Sequence, residues 1–169
     1  RWKDEGLLFD PGEGAQRQLV LANISANKIT RVFLSHFHGD HCLGLPGMIM
    51  RLSMDEGRLP VPIHYPGAGE EFFRRLRFAT PGQEMVAVDA RPITGPGVVA
   101  SDEICTVRCA RLSHRVEAFG YRVEEPDRRH LIPERLAQFG IVGADIGRIR
   151  DEGSLVHGGR TIGLDEVSE

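Results

Sequence analysis

Val32-Phe33-Leu34-Ser35-His36-Phe37-His38-Gly39-Asp40-His41 places three imidazoles and a carboxylate within six residues, directly behind an apolar run. The β-branched and aromatic triplet Val32-Phe33-Leu34 predicts a central strand. Residues i and i+2 of an extended segment share a face, so His36 and His38 aim at one metal ion. Gly39 then permits a turn, and Leu45, Met48, Ile49 and Leu52 have the spacing of a helix over 43–54. With the chain turning toward that helix, Asp40 and His41 project differently and reach a neighbouring second metal. Two metals about 3.5–4 Å apart can share a bridging hydroxide, which makes hydrolysis the natural chemistry. Imidazole and carboxylate are ordinary zinc ligands at about 2.0–2.2 Å, and catalytic sites keep positions open for water or substrate. The nitrogen and oxygen set favours zinc and admits manganese. A single histidine is more often a core or surface residue, but four ligand-type side chains at this spacing are poorly explained that way.

Working outward, Leu7-Leu8-Phe9 followed by Asp10-Pro11-Gly12 predicts a buried strand ending in a turn, then a helix over 16–22 and a loop over 23–28. Beyond the histidines, strands are expected at 60–65 and 85–88, a helix at 69–78, β-favourable runs through 98–112 ending at Ser113-His114, and a strand at 118–123. Such alternation is that of an α/β sandwich with functional residues at strand ends. After Glu124-Glu125-Pro126-Asp127 the character changes, with helices expected at 133–139 and 145–151 around Gly140 and Gly143. That region reads either as a projecting arm or as a peripheral helical excursion.

A chain of 169 residues can bury one sizeable core, and 41% hydrophobic with 27% charged residues argues against whole-chain disorder. Cys42, Cys105 and Cys109 form no C-x-x-C pair, and an odd count argues against a disulfide framework, so a reducing cytoplasm fits. No run approaches the roughly 20 apolar residues of a membrane span, nor does the start resemble a secretory signal. Net charge −3 gives no global signature of a nucleic-acid binder. Local clusters remain, Arg74, Arg75 and Arg77; Arg128, Arg129 and Arg135; Arg148 and Arg150, each more often a solvated helix face than a phosphate contact when taken alone. His64, His130 and His157 and the cysteines are expected in core or surface roles. Arg1-Trp2-Lys3-Asp4-Glu5-Gly6 runs into an apolar strand without an initiating Met, so a preceding segment is expected.

The histidine motif resembles the signature of the metallo-β-lactamase superfamily, which implies an αββα sandwich binding two zinc ions. By that resemblance His36 and His38 ligate the first, Asp40 and His41 the second, and His114, at a strand end, completes the first set. Two segments are similar to RNase Z: Phe9-Asp10-Pro11-Gly12-Glu13-Gly14-Ala15-Gln16-Arg17-Gln18, with Pro11 and Ala15 where that family has Cys and Thr, and His114-Arg115-Val116-Glu117-Ala118-Phe119-Gly120-Tyr121-Arg122. With Gly44-Leu45-Pro46-Gly47, the resemblance covers most of 7–125.

What RNase Z implies is a zinc-dependent endoribonuclease that cuts the 3′ trailer from precursor tRNA. A metal-activated hydroxide attacks phosphorus in line, Asp40 both ligates and orients the nucleophile, and the products are a 3′-hydroxyl and a 5′-phosphate. Residues 1–125 correspond to the N-terminal part of the metallo-β-lactamase domain, 126–160 to an exosite arm that grips tRNA, and 161–169 to the start of the return to the core. Arg128, Arg129, Arg135, Arg148 and Arg150 are the expected phosphate contacts of the arm. A cytoplasmic homodimer is implied. The family also uses a bridging Asp and a last His on downstream strands, and an N-terminal Gly-rich strand, for which this sequence has no recognisable equivalents. The fold is therefore expected to be incomplete, and the chain alone to be inactive. Two other readings stay open: a metallo-β-lactamase-fold hydrolase of a small ester, lactone or phosphodiester, and a non-catalytic RNA-binding remnant. Substituting His38 would separate the last from an enzyme, since RNA affinity would then barely change.

Overall fold

The structure, a computed structural model, describes residues 5–54, 60–81, 88–126 and 129–169. Strand β1 (Leu7–Phe9) pairs with β2 (Arg31–Phe33), β2 with β3 (Val61–Pro66) and β3 with β4 (Val88–Ile93), all parallel, in the order β1-β2-β3-β4. Parallel neighbours need crossovers. These contain α1 (Ala15–Leu21), then α2 (Gly39–Cys42) with α3 (Leu45–Met54), then α4 (Glu70–Arg77). The expected strand over 85–88 begins among described residues at Val88, and 85–87 lie outside them.

Alternation along β2 decides the layering. Val32 and Leu34 join Ile63 and Tyr65 in a core with Leu45, Met48, Ile49 and Leu52 of α3 and Phe73 of α4, whereas Phe33 turns to the other face. There it meets a second sheet, β5 (Gly97–Ser101), β6 (Thr106–Arg111) and β7 (Phe119–Glu124), antiparallel in that order. Phe33 packs with Cys105, Val107, Tyr121 and Val123, the filling between the two sheets. Helices, parallel sheet and antiparallel sheet thus stack as the first three layers of an αββα sandwich. The β-favourable stretch 98–112 is two strands of a hairpin, turned by Asp102, whose carboxylate accepts the backbone N–H groups of Ile104 and Cys105 at 2.7 and 2.9 Å. All three cysteines are buried and free.

The chain divides into two compact units, Arg1–Pro126 and Asp127–Glu169. The second has helices α5 (Pro133–Gln138) and α6 (Ala144–Glu152), a hairpin β8 (Ser154–His157) and β9 (Arg160–Gly163), and a short α7 (Leu164–Val167). Leu136, Ile141, Ile149, Leu155, Ile162 and Val167 form its own core. His130 and Glu169 exchange both backbone hydrogen bonds, at 2.9 and 3.0 Å, and Leu131 bridges Ser168. Residues 161–169 therefore sit in the same unit as the helices before them. Neither the hairpin nor α7 was among the expected elements. Gly158 and Gly159, both at positive φ, form the two-residue turn that a β-hairpin favours. Among the described residues no helix is long and apolar enough to cross a membrane.

Candidate metal centre

The histidine loop is pinned from both sheets. Beyond β2, the Leu34 N–H donates to the His64 carbonyl at 2.8 Å, while the half-buried Tyr121 donates its hydroxyl proton to the Leu34 carbonyl at 2.7 Å. Phe119, which opens β7, donates its N–H to the Ser35 carbonyl at 2.9 Å, and Leu112 closes the end of the β6–β7 hairpin onto Ala118 at 2.9 Å. These bonds carry His114, in the connection between β6 and β7, up to the loop that follows β2.

His36 Nε2 lies 3.0 Å from His38 Nδ1, and His114 Nε2 lies 3.2 Å from that same nitrogen. One ligand atom from each of His36, His38 and His114 falls within 4.8 Å of the other two. A hydrogen-bond network explains this poorly, because a single ring nitrogen faces two others and can donate only one proton. A metal explains it well, since tetrahedral ligands at about 2.0–2.1 Å from an ion stand only about 3.3 Å apart. His36 is buried, and burial, followed by the neighbouring His41, His38 and His114, lowers its pKa and so favours the neutral ring a metal requires.

α2 begins at Gly39, so Asp40 and His41 leave from its first turn, as the position of Gly39 led one to expect. The His41 ring centroid is 4.2 Å from that of His36, and His41 Nε2 is 3.5 Å from Asp40 Oδ2. The Asp40 side chain is 81% exposed, over a cleft of about 710 Å³ lined by the four histidines with Asp10, Tyr121 and neighbouring residues.

The metallo-β-lactamase superfamily profile matches residues 3–166. The chain belongs to this superfamily. Along its full length this metallo-β-lactamase chain is 49% identical to a ribonuclease Z of Streptomyces avermitilis, and over 99% of its length 44% identical to one of Protochlamydia amoebophila. It covers 55% of each, so it spans about half the length of the curated relatives it matches. Among solved structures, the short form of human tRNase Z superposes with a TM-score of 0.65 at 29% identity, covering 74% of this chain and 55% of that one. The metallo-β-lactamase fold protein YhfI of Bacillus subtilis follows with a TM-score of 0.58 at 21% identity, over 72% of this chain and 46% of its own, a likeness of fold.

Sequence reasoning missed two residues of this metallo-β-lactamase site. Asp10 was read as part of a turn and of the RNase Z-like segment but given no site role, yet its carboxylate accepts the Ser35 N–H at 2.6 Å and the Ser35 hydroxyl at 2.7 Å, and contacts His41 Nδ1 at 2.9 Å. Ser35 Oγ in turn lies 2.9 Å from His36 Nδ1. The signal was the position of Asp10, at the end of a strand that neighbours β2 in a parallel sheet, where loops from adjacent strands meet.

In the second unit, Arg129 pairs with Asp165, Arg135 Nη1 donates to the Ser168 carbonyl at 2.9 Å, and Arg148 lies 3.4 Å from Asp145 and 3.7 Å from Glu152. Arg150 is exposed and makes no ion pair among the described residues, outside which Arg128 lies. His64 is buried between the sheets and His130 is exposed; His157 is partly exposed beside Asp145.

Proposed function

We propose that this chain carries the histidine cluster of a zinc-dependent endoribonuclease that removes the 3′ trailer of precursor tRNA. The observation behind the hydrolase reading is the convergence of His36, His38 and His114 within 4.8 Å at the floor of an open cleft. Likeness along the whole of this chain to about half of proteins called ribonuclease Z, together with the superposition on human tRNase Z, supports tRNA as the substrate.

His36 Nε2, His38 Nδ1 and His114 Nε2 would hold one zinc, and Asp40 with His41 Nε2 a second. Zinc supplies Lewis acidity toward phosphate oxygens and lowers the pKa of its water. Asp40, the most solvent-accessible carboxylate beside the cluster, takes up the proton of the attacking water at Oδ and orients that water toward phosphorus. Tyr121 and Phe119 line the cleft beside the histidines. By resemblance, the second position draws further on a bridging Asp and a last His from downstream strands, so a chain lacking them holds one zinc firmly and does not turn over alone. The arginines of the second unit, Arg128, Arg129, Arg135, Arg148 and Arg150, would contact tRNA phosphates as its exosite arm. The ion pairs of Arg129 and Arg148 are exposed and worth about 0–1 kcal/mol each, little enough to be exchanged for a phosphate. A cytoplasmic homodimer belongs to the same reading.

The test is zinc per chain by elemental analysis after loading and dialysis, with a trailer-cleavage assay on precursor tRNA. One tightly held zinc that His114→Ala abolishes is expected. Two zincs with cleavage would mean that a partner chain completes the second position. Failure to retain any zinc sinks the proposal.

A further inference from the structure

We infer that Asp10 is a positioning residue that fixes the ring tautomers of His36 and His41 together, directing one lone pair from each ring into the cleft. The deduction is a proton count. As a carboxylate, Asp10 only accepts. Its Oδ1 takes the Ser35 N–H at 2.6 Å, and its Oδ2 faces both the Ser35 hydroxyl at 2.7 Å and His41 Nδ1 at 2.9 Å. His41 must therefore carry its proton on Nδ1, which leaves Nε2 a bare lone pair. The Ser35 hydroxyl has spent its single proton on Asp10, so toward His36 Nδ1, 2.9 Å away, it can only accept. His36 is thereby protonated on Nδ1 as well, and its Nε2 faces His38 and the cleft. One carboxylate thus sets a ring assigned to each of two metal positions, one directly and one through Ser35. Both rings emerge from opposite ends of the same short loop, so a disturbance at Asp10 reaches both positions at once.

The backbone around Asp10 is built for this task. Asp10 sits at φ 46°, a left-handed conformation that Asp tolerates better than most residues, and its N–H donates to the Phe33 carbonyl at 2.9 Å. That bond ties the turn to the last residue of β2, one position before the strand gives way to the histidine loop. Orienting partners of metal-binding histidines have measurable weight, commonly 10–100-fold in metal affinity.

The decisive variant is Asp10→Asn, which keeps the shape and suits the left-handed backbone. The Ser35 N–H obliges the Asn carbonyl to take the Oδ1 place, which puts the amide NH₂ where Oδ2 was. That group donates, so His41 Nδ1 must now accept, and Ser35 is free to donate to His36 Nδ1. Both rings are expected to invert to the Nε2–H form. Ser35→Ala, by contrast, should release His36 and leave His41 protonated on Nδ1. Long-range ¹H–¹⁵N correlation of the imidazoles in the metal-free full chain near neutral pH reads these states directly, and general loosening of the fold would not produce a paired inversion. Zinc affinity by chelator competition should fall 10–100-fold in Asp10→Asn. Wild-type rings protonated on Nε2, or tautomers unchanged in Asp10→Asn, would overturn the inference. The link to two metals rests on the function proposed above, whereas the tautomers do not: the expected rings in a chain that retains no zinc would uphold this inference and remove that one.

Discussion

His64 lies between the sheets with its ring stacked on Phe33, 4.7 Å between centroids and 9° from parallel, and burial, then Arg91 and Arg31, lowers its pKa to about 4. In the unfolded chain the same ring titrates near 6.5. Between these values the unfolded state binds the extra proton, so stability is complete above about pH 6.5 and declines as pH falls toward 4, by on the order of 3 kcal/mol at the limit. Denaturant unfolding between pH 4.5 and 7 measures this slope, and His64→Phe, which keeps the stack, should flatten it; parallel profiles would show that other groups govern the acid limb. His114 poses the opposite case. It is exposed, touching the fold mainly through His36 and His38, so His114→Ala should leave the metal-free protein within about 0.5 kcal/mol of the original while its zinc affinity collapses. Melting with and without zinc separates the two effects, and a metal-free melt well below the original would contradict it.

Elements meet closely where the turn after β1 crosses the junction of α2 and α3. The Gly44 N–H donates to the Pro11 carbonyl at 2.8 Å, and a Cβ on Gly44 would stand 2.1 Å from the Gly12 carbonyl oxygen. A Cβ on Gly12 would stand 1.9 Å from the Asp40 carbonyl oxygen. Backbone cannot yield as a flexible side chain can, so Gly44→Ala should cost more than about 2 kcal/mol and also weaken zinc binding by shifting Asp10 against His41. A fully folded Gly44→Ala chain with unaltered affinity would show the turn to be uncoupled from the site. Phe33→Ala should cost about 3–5 kcal/mol, because its ring fills the space between the sheets, and urea unfolding checks this value. Strand β2 was legible in the sequence because Val32-Phe33-Leu34 ends abruptly at ligand-type residues, and α3 because its apolar spacing is regular. The role of Asp10 was not legible, although its segment was, because a carboxylate in a Pro-Gly turn looks local while its partners lie across the sheet. The β8–β9 hairpin was hidden for another reason. Its strands are short, and Val156 is exposed at 72%, so the alternation that marks a strand is only partly present, leaving Gly158-Gly159 as the sole sign.

For the whole molecule, net charge −3 offers tRNA no long-range attraction, and any grip must come from local arginines. Affinity for precursor tRNA should then fall with added salt, the slope of log affinity against log salt being about −0.9 per phosphate neutralised for B-form DNA and of similar order for RNA. Removing Arg150 should make that slope shallower by about one contact, with no effect on zinc content; filter binding across a salt series decides, and an affinity indifferent to salt would exclude the arm from phosphate recognition. The second unit has its own core, and the strand-like pairing of His130 with Glu169 clasps two stretches of it that are distant in sequence. The entropic cost of closing the chain between two such points grows only slowly with its length. Such a clasp leaves the sequence between the paired residues free to vary in length and surface, because a longer loop closed at the same two points adds little entropic cost.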